Sequence, residues 1–215
     1  MAERSEGMNE WVLPLVVRIE RDSPPTRTDA LEAAATAVLT MLTTSEPDWV
    51  EPVQAWDGSR IRKVVRRARG AEWRRACALP GVTVTHGTAS VRVFPPVPVD
   101  AWPPDLARLQ VGGTELDDPS PPPAPDEHVP LVLISPDAQM SAGKAMAQAG
   151  HAAQLGWRSL RPRRRKAWQE AGFPLAVRVA SPRQWRAVVS GGAPVVHDAG
   201  FTEVDPGTAT AAFVS

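Results

Sequence analysis

The sequence predicts an α/β fold: two tandem small three-layer α/β units with mixed sheets, packed as an intrachain pseudo-dimer. Three observations predict it. Short segments recur in the same order in both halves of the 215 residues, at nearly constant spacing. Each half alternates apolar runs of strand length with Ala-rich segments of helical composition. An acidic, Pro-rich stretch separates the halves.

The repeats run along the whole chain. Leu13-Pro-Leu-Val-Val-Arg-Ile19 resembles Val129-Pro-Leu-Val-Leu-Ile-Ser135, at an offset of 116. Ala55-Trp56 matches Ala167-Trp168, and Val65-Arg66, Ala68 and Trp73-Arg74 match Val177-Arg178, Ala180 and Trp185-Arg186, all at an offset of 112. Gly87-Thr88-Ala89 matches Gly207-Thr208-Ala209 at an offset of 120. The shared plan is strand, helix, strand, helix, strand, strand. Apolar runs next to a Pro give buried first strands over 12–19 and 130–135. Ala-rich helices follow over 28–43 and 141–157. Second strands lie at 61–67 and 174–180, where Leu175, Val177 and Val179 alternate with Ala176 and Arg178. Short helices at 71–79 and 182–190 precede two last strands in each unit, at 82–86 and 89–94, then 194–197 and 208–214.

Charge marks the boundaries 1–112, 113–128 and 129–215. The first stretch carries 14 basic and 14 acidic residues, the second no basic and five acidic, and the third ten basic and five acidic. The middle stretch has five prolines and almost no apolar side chains. It reads as an extended, semi-stiff spacer that buries little surface. A ligand for a Pro-binding domain is the other reading.

Composition excludes several classes. Equal numbers of basic and acidic residues, 24 each, exclude a uniformly basic nucleic-acid coat, though not a local patch. One cysteine, Cys77, allows no internal disulfide and no cysteine-based zinc site. No apolar run is long enough to span a membrane. The start, Met1 to Glu10, is polar and acidic and lacks the regions of a signal peptide. The expectation is a cytoplasmic protein. Cys77, His86 and His128 have no partners at ligand spacing and read as structural or incidental.

The candidate chemistry is concentrated in the second half. The first helix there reads Met140-Ser-Ala-Gly-Lys-Ala-Met-Ala-Gln-Ala-Gly-His-Ala-Ala-Gln154. Ser141 can cap it. Lys144, Gln148 and His151 stand at i, i+4 and i+7 on one face. A lysine in the first turn opposes the positive helix end, so a phosphate or a developing oxyanion there would gain from the ammonium and from exposed backbone N–H groups. The equivalent first-half helix, Thr28 to Leu42, has no Lys, Gln or His. Asp198, at a strand end before a Gly-containing turn, becomes chemically useful if it faces Lys144. A carboxylate there holds the lysine charged or orients a water as base. Arg158, Arg161, Arg163, Arg164, Arg165 and Lys166 crowd the region between Trp157 and Trp168. They read either as a solvated loop between helices or as a contact for a phosphate backbone.

Residues 129–215 resemble the archaeal- and eukaryotic-type (type II) peptidyl-tRNA hydrolases. Three segments carry the resemblance: Pro130 to Ile134, then Met140-x-x-Gly-Lys-x-x-Ala-Gln-x-x-His-Ala152, then Asp198-Ala-Gly-x-Thr-x-Val-x-Pro-Gly-Thr-x-Thr210. The resemblance implies a compact three-layer fold with a four-stranded mixed sheet. It implies cofactor-free cleavage of the ester between a peptidyl or N-blocked aminoacyl group and tRNA. Lys144, Asp198 and Thr202 match the catalytic positions. Gln148, His151, Gly207 and Thr208 match positions that contact or surround the substrate. Arg161, Arg163, Arg164, Arg165 and Lys166 would contact the RNA. Ala142 stands where the family usually has a second lysine, and Phe201-Thr202-Glu203 where it usually has Arg-Thr-Gln. Asp205 adds a further acid. These departures keep two other functions open: an acyl hydrolase or transferase on a non-standard substrate, and a non-catalytic RNA- or protein-binding module. The first half resembles a degenerate copy of the unit that stands in for one subunit of a homodimer, giving a monomer with an internal pseudo-two-fold.

Overall fold

The computed structural model describes residues 10–200 and 202–215. The acidic start over 1–9 and the unusual Phe201 lie outside them. The N-terminal unit runs β1 (Trp11–Arg18), α1 (Arg27–Leu42), α2 (Pro47–Asp57), β2 (Arg62–Ala68), α3 (Gly70–Ala78), β3 (Val82–His86), β4 (Ala89–Val93), β5 (Val97–Pro98) and α4 (Pro104–Ala107). The C-terminal unit runs β6 (Leu131–Ile134), α5 (Ala142–Ser159), α6 (Pro162–Glu170), β7 (Ala176–Val179), α7 (Pro182–Ser190), β8 (Val195–His197) and β9 (Ala209–Val214). The sheet orders are β2-β1-β4-β3, with β5 added on β1, and β7-β6-β9-β8. In each unit the first two strands are parallel and the other pairings antiparallel. The expected tandem α/β architecture with two mixed sheets is therefore present, and the two units share one topology.

The register corrects the sequence match in the first strand. Leu13, Leu15 and Val17 face the same continuous core as Val132 and Ile134, while Val16 and Leu133 face the outer layers. Leu15 lies opposite Val65 and Val93, as Val132 lies opposite Val177 and Phe213. The true correspondence is shifted one residue from the Pro14-to-Pro130 match, since a one-residue slip turns every side chain to the other face. The offsets seen in the other strands hold.

Two helices, α2 and α6, lie where the expected plan had none, and α6 corrects the reading of the Arg-rich segment as a loop. Each begins with a proline, whose missing N–H costs nothing in the first turn. Each is anchored by its repeated tryptophan. The Trp56 indole donates to Arg62 O at 2.8 Å and the Trp168 indole to Pro174 O at 2.8 Å, so one bond ties each helix to the chain entering the next strand. α2 tolerates the internal Pro52 because Val53 and Trp56 are buried.

The units meet along α1 and α5, which pack directly on each other. Small side chains allow it: a Cβ on Gly150 would come within 2.7 Å of Val38. Buried Ala33, Ala34, Ala37, Ala145, Ala149 and Ala152 belong to one core shared by both sheets. On the outer faces, α3 and α4 cover the first sheet through Trp73 and Leu106, and α7 covers the second through Trp185.

Residues 113–128 have no helix or strand, yet they are packed rather than a free spacer. Leu116 is buried in the shared core. Thr28 donates to Asp118 through its backbone N–H (2.9 Å) and hydroxyl (2.7 Å), and Arg27 N–H donates to Asp117 O. The buried Thr114 hydroxyl accepts from Gly143 N–H at 3.0 Å. The segment thus supplies partners to the unpaired first turns of both α1 and α5, which replaces the apolar area it lacks.

Candidate functional site

A cleft of about 750 Å³ opens between the units. One wall is α5 with Lys144, Gln148 and His151. The end of β8 with Asp198 forms its edge, and β2 of the N-terminal unit, with Lys63 and Val65, forms the opposite wall.

The three side chains spaced along α5 do share one face. Ser141 caps the helix and accepts from Lys144 N–H at 3.2 Å. The Lys144 ammonium donates to Asp198 Oδ2 at 2.6 Å and to Thr202 Oγ at 3.1 Å. Gln148 donates to the same Oδ2 at 2.7 Å and accepts on its own Oε1 from the buried Thr210 hydroxyl at 2.7 Å. Gly200 N–H donates to Asp198 Oδ1 at 2.8 Å. The Lys144 and Asp198 side chains are only 11% and 7% exposed, so this is a largely dehydrated charge pair with its orientation fixed by three neighbours.

The turn after β8 explains the Asp-Ala-Gly and Pro-Gly-Thr motifs. Gly200 has φ of 76°, and a Cβ there would lie 2.3 Å from Pro206, so only glycine fits. Gly207, with φ of 82°, donates its N–H to Asp198 O at 2.7 Å. Asp198 N–H donates to Thr208 O at 2.9 Å, and the Thr208 hydroxyl donates to Asp205 O at 2.7 Å. Gly207 and Thr208 therefore close the loop that carries Asp198.

The expectation of free backbone N–H groups at the α5 start is corrected. Thr114 takes Gly143 N–H and Ser141 takes Lys144 N–H. Glu203 accepts from Ser141 N–H (2.7 Å) and hydroxyl (2.9 Å), with its own backbone in the left-handed region at φ 54°. The helix start is already supplied with an anion, the Glu203 carboxylate.

The basic cluster divides. Arg165 donates to Leu160 O and Arg158 O, and its guanidinium lies 6.0 Å from the Trp157 ring centre. Arg158 donates to Asp57 across the unit boundary. Both therefore make bonds within the fold, a use of Arg165 that the sequence does not reveal. Arg161, Arg163 and Arg164 are exposed at the start of α6, and Lys166 pairs loosely with Glu170 at 3.7 Å.

His151 meets a residue that sequence reasoning missed. Lys63, 7% exposed, comes from β2 and places Nζ 3.1 Å from His151 Nδ1, 2.6 Å from Gln154 Oε1 and 3.2 Å from Ile61 O. The signal was available: in a chain with 24 basic residues, only Lys63, Lys144 and Lys166 are lysines, and two of them line this cleft. Burial pushes the Lys63 pKa well below that of a free lysine, with repulsion from Arg158 adding to it and Asp57 opposing. Burial, then the positive charges of Lys63, Lys144 and Arg158, hold the His151 pKa well below the ordinary histidine value.

His86 has a partner within the fold, the structural one of its two readings. Its Nε2 is 2.7 Å from Glu32 Oε2, and Glu32 accepts from Arg178 of the other unit at 2.6 Å. Asp29, Glu32 and His86 lie close enough together to hold a cation, but their oxygens already accept from Thr88, Arg178 and Val177. The described residues thus define an α/β protein with a lysine–carboxylate cleft built on one of two like units. No family model matches the chain, and no curated protein does.

Proposed function

We propose that the C-terminal unit hydrolyses the ester between a peptidyl or N-blocked aminoacyl group and tRNA. The observation that carries this reading is the Lys144 ammonium, held at once by Asp198 Oδ2 and Thr202 Oγ at the floor of the cleft. An ammonium fixed in a site with little water stabilises the oxyanion formed when water adds to an ester carbonyl.

Asp198 Oδ2 is committed to Lys144 and Gln148, whereas Oδ1 has one protein donor, Gly200 N–H. A water on the remaining lone pair of Oδ1 would lie beside the ammonium. Its oxygen attacks the carbonyl carbon while its proton passes to Asp198. Collapse of the tetrahedral intermediate breaks the bond to the ribose oxygen, which takes that proton back from Asp198. Thr202 accepts from Lys144, so its own O–H is free to donate to a ribose hydroxyl. Exposed Arg161, just before α6, and Arg163, Arg164 and Lys166 on it supply the phosphate contacts.

The second reading is an acyl hydrolase whose substrate is not tRNA. Glu203 favours it, because a carboxylate already occupies the α5 start, where a substrate phosphate would otherwise gain from the helix end.

The deciding experiment is turnover of an N-blocked aminoacyl-tRNA by the full chain and by Lys144→Ala. Cleavage that is lost on substitution supports the reading. A folded protein without cleavage transfers it to another acyl ester, and equal cleavage by both proteins removes Lys144 from the chemistry.

A further inference from the structure

The buried amine of Lys63 is used by nothing described so far, and it reaches the cleft from the unit that lacks the motif. Its Nζ meets three groups in distinct directions: Ile61 O, Gln154 Oε1 and His151 Nδ1. The roles of the first two are fixed. A carbonyl oxygen only accepts. Gln154 must also present its oxygen, because its Nε2 donates to Asp57 Oδ1. A neutral amine, the form burial favours, would donate to the two oxygens and accept from Nδ1–H. The ammonium instead donates to all three groups and leaves no N–H unused, and Asp57 favours this charged form. Its Nζ also lies 4.8 Å from the Trp56 ring centre, a position that favours a cation.

The charged form of Lys63 fixes the histidine. A ring nitrogen that accepts carries no hydrogen, so the hydrogen of neutral His151 sits on Nε2. Among the described residues Nε2 has no hydrogen-bond partner, and it is not sealed from solvent. The ring lines the cleft on the same face of α5 as Lys144 and Gln148.

We propose that Lys63 is a positioning residue that holds His151 as its neutral Nε2–H tautomer, so that the cleft offers a hydrogen-bond donor to an oxygen acceptor of the bound ester. The inference rests on the ester-hydrolase reading only for the identity of that acceptor. It makes the N-terminal unit part of the site: the unit without the motif completes the unit that has it. The groups facing the pair are Lys144 and Arg158 on α5 and Asp57 at the end of α2.

The test is the nitrogen-15 spectrum of the histidine rings in the full, free chain, with His151 assigned from a His151→Gln sample. At neutral pH the expected spectrum has a protonated Nε2 and a bare Nδ1. A protonated Nδ1, or an imidazolium, overturns the proposal. In Lys63→Met the His151 signals should move to a mixture of tautomers, while those of His86 stay in place. The His151 pKa should rise there while staying below the ordinary histidine value, because burial, Lys144 and Arg158 remain. An unchanged His151 spectrum in that variant overturns the role of Lys63. Lys63→Gln serves if Met prevents folding, and the wild-type spectrum decides in either case. In turnover of N-blocked aminoacyl-tRNA, Lys63→Met should raise KM about tenfold with kcat nearly kept, the loss of one oriented hydrogen bond. The same change in a His151→Gln background should add nothing, and full additivity would count against action through His151. A protein that cleaves no such ester but shows the Lys63-dependent tautomer would remove the proposed reaction and leave this inference standing.

Discussion

Asp29 and Lys144 occupy the same place in the two units with opposite charge. Each is the third residue after the cap of the helix that follows the first strand, and each donates its N–H to the cap hydroxyl, Thr26 or Ser141. Lys144 reaches Asp198 and Thr202 in the cleft. Asp29 is satisfied within its own unit by the Thr88 N–H and hydroxyl, both at 2.7 Å. One unit thus places a cation at a cleft, and the other closes the same position with an internal carboxylate.

Exchanging these residues should therefore separate activity from stability. Lys144→Met should lower kcat on a cleaved ester by about 100-fold or more, the usual cost of one oriented oxyanion donor. Asp29→Asn should leave kcat within about twofold. Burial alone would raise the Asp29 pKa, but the Thr88 and Thr26 bonds and the charge of His86 outweigh it and hold it below the ordinary value of 3.8. A depressed carboxylate pKa contributes stability above its unfolded value and loses it as pH falls through the folded value. The wild type should lose stability below about pH 4 faster than Asp29→Asn, as read from urea midpoints.

His151 should produce a second pH dependence of the same sign, at higher pH. Its folded pKa lies well below the ordinary value, so the unfolded chain binds a proton that the folded chain refuses. Stability should fall as pH drops below about 6.5. His151→Gln should flatten that part of the curve. Equal slopes for both proteins between about pH 6.5 and 5 would mean that the ring is free to protonate in the fold.

The basic cluster should divide under substitution. Neutralising Arg163, Arg164 and Lys166 together should reduce the salt slope of tRNA binding by about two to three, with the melting temperature held. Arg165→Gln should do the reverse, because it removes bonds to Leu160 O and Arg158 O. A salt slope unchanged by the triple substitution would place the RNA contact elsewhere.

Gly156 tests the packing behind the cleft. A Cβ there would lie 2.2 Å from the Phe213 ring, and that ring already packs on Trp168 with centres 5.6 Å apart. Gly156→Ala should destabilise the protein by about 1–3 kcal/mol, measured by denaturant unfolding, despite the better helix propensity of alanine.

The sequence by itself determined the tandem architecture, because strand alternation, Ala-rich helices and repeated tryptophans are local patterns that the same backbone physics converts into the same elements twice. It also placed Lys144, Gln148 and His151 on one helix face, since helical periodicity alone decides that. Tertiary structure decided what those residues meet. The one-residue shift between Leu15 and Val132 depends on which side of each sheet the shared core lies, and two similar apolar runs do not reveal it. The burial of Leu116 and Thr114 depends on helix starts distant in sequence that accept a strap of low apolar content. Lys63 and His151 are 88 positions apart, and neither local period nor composition encodes a distance across the pseudo-dimer interface. Only the packing of α1 on α5 brings the wall of one unit to the floor of the other, because burying both helix faces in one core leaves the cleft between β2 and α5 as the place where their polar side chains must find partners.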